Sequence, residues 1–101
     1  MHARLSTYKT DDPEGLVAGF QAVMGDLEQT DGFSHAYFLV DRETGNAASI
    51  TIWESQDALG QSVAKADELR KRGTQPSGAS IESVGHFEIV QTAGSPAGFA
   101  A

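Results

Sequence analysis

Apolar residues recur along the chain with two periods, and each change of period marks a new element. Residues 3–9 alternate and end in Thr7 and Tyr8, which predicts a first strand. Leu16, Val17, Phe20, Val23, Met24 and Leu27 then follow at spacings of one, three and four, the single stripe of an amphipathic helix ending near residue 30. Asp12 can cap this helix, Pro13 suits its first position and Glu14 favours its N-terminal dipole. Asp31-Gly32 ends the helical region, and residues 33–41 and 46–54 read as the second and third strands. Between them lies Arg42-Glu43-Thr44-Gly45, where Gly45 can supply the positive φ of a three-residue hairpin loop. Ser55 caps a second helix over residues 56–72, whose apolar face of Leu59, Val63, Ala66 and Leu69 is thin. Residues 73–80 are a loop by composition, and residues 81–92 form the last strand, with Gly85 as a bulge position.

The order β-α-β-β-α-β predicts an α+β, ferredoxin-like fold: an antiparallel four-stranded sheet with both helices on one face. One domain over residues 1–92 is expected, followed by a flexible tail of small residues over 93–101.

The hairpin separates two kinds of chemistry. With a three-residue loop, Arg42 faces Asn46, so His35 lies opposite Trp53, Tyr37 opposite Thr51 and Leu39 opposite Ser49. On the reverse face Ala36, Phe38 and Val40 meet Ile52, Ile50 and Ala48. That reverse face is dry and aliphatic and needs cover on a chain of this size. A homodimer through Ala36, Phe38, Val40, Ile50 and Ile52 is therefore expected. The other face offers Phe33, His35, Tyr37, Thr51 and Trp53 beneath Leu59 and Val63 of the second helix, the mixed lining of a small-molecule pocket.

Charge narrows the partners. The 101 residues carry 7 basic and 14 acidic side chains, a net charge of −7. The longest basic cluster, Arg70-Lys71-Arg72, reads as a solvated helix C-terminus. Nucleic acid and anionic membrane, which need clustered cations, are not expected as partners. The absence of cysteine excludes disulfides, thiolate metal sites and thiol nucleophiles. No apolar run approaches the roughly 18 residues of a membrane span. The opening MHARLSTYKTDD lacks the apolar core of a signal peptide, so a cytoplasmic location is expected.

His35 is the candidate general base, since imidazole titrates near neutral pH, with Tyr37 as a hydrogen-bond donor and Trp53 as a stacking plate. These three form the expected catalytic set, with Phe33, Thr51, Leu59 and Val63 binding substrate. A deprotonated phenol or enol is electron-rich enough to meet oxygen without a cofactor. His86 and Glu88 share a face of the last strand and offer either a base with its orienter or half a metal site. No third ligand is placed by the sequence, so neither metal nor cofactor is expected. Arg4 and Tyr8 share a face of the first strand, where they serve either a pocket mouth or solvent and dimer contacts.

The Gly32-Phe33 strand opening, the Asp41-Arg42-Glu43-Thr44-Gly45 hairpin, the Thr51-Ile52-Trp53-Glu54-Ser55 passage into a helix and the final His86-Phe87-Glu88-Ile89 strand together resemble the antibiotic biosynthesis monooxygenase (ABM) domain. The resemblance covers roughly residues 1–92. It implies a homodimer in which two ferredoxin-like sheets form a dimeric α/β barrel. It also implies a group that includes cofactor-independent oxygenases of aromatic polyketides, quinol oxygenases and haem-degrading enzymes. Trp53 matches the pocket tryptophan of several members. Haem-degrading members use an asparagine on the first strand and a histidine on the second helix; this chain has neither, which counts against haem degradation. The expected protein is a small homodimeric, cofactor-independent monooxygenase acting on an aromatic or quinol-type molecule. The alternative is a binding or accessory protein that uses the same pocket without turnover.

Overall fold

The computed structural model describes residues 1–94, and the part of the expected tail from residue 95 onward lies outside the described residues. Four strands, β1 (His2–Lys9), β2 (Phe33–Val40), β3 (Asn46–Trp53) and β4 (Ser80–Glu88), form one antiparallel sheet in the order β2-β3-β1-β4. The helices are α1 (Pro13–Glu28), α2 (Gln56–Gln61) and α3 (Val63–Thr74). This is the ferredoxin-like α+β arrangement, except that the expected second helix is broken at Ser62.

Local chemistry sets the helix ends. The Asp12 carboxylate accepts from the Gly15 amide and Pro13 occupies the first turn of α1. Ser55 accepts from the Ala58 amide at the start of α2. At the break, the Leu59 carbonyl accepts from Ser62 Oγ at 2.7 Å and from Arg4 Nη2 at 3.0 Å, so a side chain of β1 takes part in dividing the helix. α1 buries Leu16, Phe20, Val23 and Leu27, and it crosses α3 closely at Gly19 and Gly73. A Cβ on Gly19 would strike the Gly73 carbonyl.

The hairpin differs from the expected register by one residue. Asp41 N donates to Asn46 O and Gly45 N donates to Asp41 O, both at 2.8 Å, so four residues separate the paired ends. The Asp41 carboxylate accepts from the Glu43 and Thr44 amides, which stabilises the extra residue, and Gly45 closes the turn at φ +78°. His35 therefore pairs with Ile52, Tyr37 with Ile50 and Leu39 with Ala48, while Ala36, Phe38 and Val40 pair with Thr51, Ser49 and Ala47. A shift of one reverses the faces of β2, because side chains alternate with period two. Ala36, Phe38 and Val40 pack beneath the helices rather than on the open face. A second irregularity at Ser34 restores Phe33 to a position opposite Trp53. In β4 the irregularity falls at Glu82, between the Thr7–Ser83 and Tyr8–Ile81 pairs, rather than at Gly85.

Two apolar clusters fill the space between sheet and helices. One joins Val23, Leu27, Trp53, Leu59 and Leu69; the other joins Tyr8, Leu16, Phe20 and Ala47. Phe38 touches both. The opposite face of the sheet carries Leu5, His35, Tyr37, Leu39, Ile50, Ile52 and Phe87, as alternation from the helix-side residues requires. Leu39 is 48% and Phe87 55% exposed there.

Candidate functional site

The alternation of β1 brings Arg4, Ser6 and Tyr8 onto the helix side, where they meet Ser49 and Thr51 of β3. These five polar side chains line one wall of a cavity of about 40 Å³. Phe20, Val23 and Leu27 of α1, with Ala66 and Leu69 of α3, make its apolar wall, and Arg70 closes one end. Tyr8 Oη and Ser49 Oγ share a hydrogen bond of 2.8 Å, and the Tyr8 ring stands edge-on to Phe20.

The cationic end of the cavity is its least ordinary part. Arg4 is only 3% exposed. Its Nε donates to His86 Nε2 at 3.1 Å, and its Nη2 donates to the Leu59 carbonyl and to Ser62 Oγ. Its guanidinium carbon lies 5.6 Å from the centre of the Trp53 ring, a cation–π distance. Nη1 has no hydrogen-bond partner among the described residues. Arg70 donates from Nε to Ser6 Oγ at 3.2 Å and from Nη1 to Asp67 at 2.6 Å. Thus one carboxylate, Asp67, stands beside two guanidinium groups. Burial, followed by the charge of Arg70, pushes Arg4 below its ordinary pKa, while Asp67 opposes that shift. Burial and then Arg4 and Arg70 also lower the pKa of His86, so its Nε2 is kept as an acceptor.

The residues singled out from the sequence are divided by this geometry. Thr51 lines the cavity and accepts from Trp53 Nε1 at 2.9 Å. Trp53 is fully buried and stands edge-on to Phe33. Leu59 packs with Trp53, and its carbonyl takes Arg4. Val63 is 39% exposed on α3. His35 and Tyr37 stand edge to face at 5.7 Å on the open face of the sheet, with Ser34 Oγ at 2.8 Å from His35 Nδ1. The register reversal is the reason these two do not share a face with Thr51 and Trp53.

Arg4 and Tyr8 were legible as pocket candidates from their shared strand face. Ser6 and Ser49 follow from the same alternation once the strand pairing is known. Arg70 is corrected from a solvated helix end: its side chain is 8% exposed because it folds back over β1 to Ser6. His86 serves Arg4, and Glu88 is exposed. Among the described residues, no three His, Asp or Glu side chains gather as a metal ion would require.

No family profile matches the chain. Over 69 residues, 67% of this chain, it is 35% identical to the uncharacterized protein Rv2558 of Mycobacterium tuberculosis, and it spans 29% of that relative's length. Solved structures share its fold. SnoaB from Streptomyces nogalater, a cofactor-independent oxygenase, superposes with a TM-score of 0.72 at 17% identity, covering 90% of this chain and 94% of SnoaB. The haem degrader MhuD of Mycobacterium tuberculosis gives 0.72 at 19% identity, covering 93% of this chain and 100% of MhuD. A Deinococcus radiodurans protein provisionally assigned as an antibiotic biosynthesis monooxygenase gives 0.72 at 12% identity, covering 93% and 97%. The fold expected from the ABM resemblance is therefore the fold of these structures. No helix among the described residues is long and apolar enough to cross a membrane.

Proposed function

We propose that this chain is an ABM-type oxygenase that binds an aromatic or quinol-type molecule between its sheet and its helices and oxidises it without a cofactor. The observation that carries this reading is the unlike walls of the cavity beneath the helices: apolar helix side chains face five polar side chains of the sheet, Arg4 among them, with Arg70 at its end. Such a lining holds a ring on one side and orients its oxygens on the other. The shared fold with SnoaB, described as a cofactor-independent oxygenase, supports the reaction class.

The reaction needs only substrate and oxygen. A substrate CH₂ group activated by a neighbouring phenol or enol loses a proton, and the resulting carbanion reduces O₂ and forms a C–O bond. The proton returns to the peroxide. Loss of water, with the second C–H proton, leaves a ketone, so that CH₂ and O₂ become C=O and H₂O. In this reading the Tyr8 hydroxyl, which lines the cavity and is hydrogen-bonded to Ser49, conducts the substrate proton out to water and one back from water to the peroxide. In this reading His35 and Tyr37 belong to the open face and not to the reacting group.

The cavity of about 40 Å³ is well below the roughly 300 Å³ of an ordinary ligand site. A ring enters when α3 moves away from the sheet, and the break at Ser62 is the place where it can turn. The open face, with Leu5, Tyr37, Leu39, Ile50 and Phe87, supports the proposed homodimer, because apolar surface of this kind favours a second sheet over water.

Oxygen uptake with anthrone and dihydroxynaphthalenes tests the proposal. Turnover that survives EDTA and yields the ketone supports it. Saturable quenching of Trp53 fluorescence without uptake would instead support the binding protein.

A further inference from the structure

Among the described residues, Arg4 is a buried cation without a hydrogen-bonded carboxylate partner. Its Nε and Nη2 are committed to His86, Leu59 and Ser62, while Nη1 faces no acceptor among the described residues. The nearby Asp67 carboxylate is already held by Arg70. Burying a guanidinium in this state is unfavourable unless an anion completes it. The cavity that Arg4 lines, about 40 Å³, is large enough for a carboxylate or a phenolate oxygen with its water, since one water needs about 10–15 Å³ on such a measure. Ser6, Tyr8, Ser49 and Thr51 supply further hydroxyls around the same space.

We infer that this site selects an acidic aromatic molecule in its anionic form, with the charged oxygen held on Arg4 Nη1 and the ring toward Phe20, Val23, Leu27 and Leu69. The inference rests on the helix-side cavity as the binding site and names the class of molecule it takes. Arg4 is the residue that binds the anion, and His86 positions it by accepting from Nε. Because the charge-assisted bond is formed only by the anion, neutral molecules of the same shape are discriminated against.

The test compares benzoate with benzamide, which match in shape and differ in charge. Each is titrated against the full chain at pH 7, following Trp53 fluorescence and the Arg4 Nε–H resonance. Benzoate is expected to bind at least tenfold more tightly and to shift the Arg4 resonance. In Arg4→Met the benzoate affinity should fall to that of benzamide, with benzamide unchanged. Arg4→Lys keeps the charge but not the fork; it should retain part of the preference, and it serves if Arg4→Met fails to fold. Equal binding of the two probes would overturn the anion inference while leaving the cavity as a binding site. A benzoate preference that survives Arg4→Met would overturn it as well. Binding of neither probe would overturn both this inference and the cavity itself as the site.

Discussion

The guanidinium of Arg4 lies over the ring of Trp53, 5.6 Å from its centre, and ties that buried plate to the Leu59 carbonyl at the break between α2 and α3. Strand β1, the indole and the break in the helical layer thus meet at one charged side chain. That arrangement decides what each group contributes to stability and what it contributes to binding.

Removing Arg4 should cost little. Leu59 O keeps its bond from Ser62 Oγ, Ser62 keeps Leu59 as its acceptor, and His86 is partly in water, so Arg4→Met strands no buried partner. Replacing a buried charge with an apolar chain of similar length is commonly neutral or stabilising. The expected change in unfolding free energy is within about 1 kcal/mol, against roughly 3–5 kcal/mol when half of a true buried ion pair is removed. Chemical denaturation checks this.

Trp53 behaves oppositely. It is fully buried between Phe33, Leu59 and Arg4, with its N–H on Thr51. Trp53→Ala should destabilise by about 3–5 kcal/mol, so loss of activity in that variant reports folding first. Thermal unfolding separates the two effects.

Gly19→Ala should force α1 from α3, because the added Cβ meets the Gly73 carbonyl, which is backbone and cannot rotate away. Overpacking of this kind costs about 1–3 kcal/mol, and each 1 kcal/mol lowers the melting temperature of a domain this size by roughly 4–8 °C. Gly25→Ala is the control, since nothing lies near its added Cβ.

The pH dependence follows from His86, whose pKa in the folded protein is lowered by burial and then by Arg4 and Arg70. The unfolded chain takes up the proton first as pH falls below about 6.5. Stability is therefore fully present above that value and is lost as pH falls through the lower, folded pKa. His86→Asn should flatten the stability profile in this window while leaving the loss at more acidic pH, where Asp67 and its Arg70 bond titrate. Melting temperatures between pH 5 and 8 would show an unchanged slope if His86 is not the group responsible.

Leu39→Glu should dissociate a dimer formed through the open face. Leu39 is 48% exposed, so the folded chain should change by no more than about 0.5 kcal/mol. Sedimentation velocity at micromolar concentration distinguishes the dimer of the parent chain from the monomer of the variant; a monomeric parent would contradict the proposed assembly.

Much of the fold is legible in the sequence because single residues mark its boundaries. Asp12-Pro13 and Ser55 announce helices, the period of 3.6 in α1 is clear, and Phe33, Thr51 and Trp53 fall beneath the helices as expected. The faces of β2 were not legible for a local reason. The Asp41 carboxylate captures two amides and lengthens the loop by one residue, which a Gly45 turn signal does not reveal. His35 and Tyr37 changed faces with it. The break at Ser62 was hidden partly for a nonlocal reason, since one of the two side chains that take Leu59's carbonyl, Arg4, is 55 residues away. Arg70 carried the composition of a helix end, and only the nearness of Ser6 turns it inward.

Oxygen uptake by Ala66→Phe and by His35→Ala, measured side by side on the substrate most active with the parent chain, tests the central claim most directly. Ala66 lines the helix-side cavity, so a phenyl group there should fill it and abolish uptake in a protein that still melts cooperatively. His35 lies on the other face and its removal should leave uptake within about twofold, a difference of about 0.4 kcal/mol in barrier. Uptake that persists in Ala66→Phe and vanishes in His35→Ala would contradict the claim that the reaction belongs between sheet and helices.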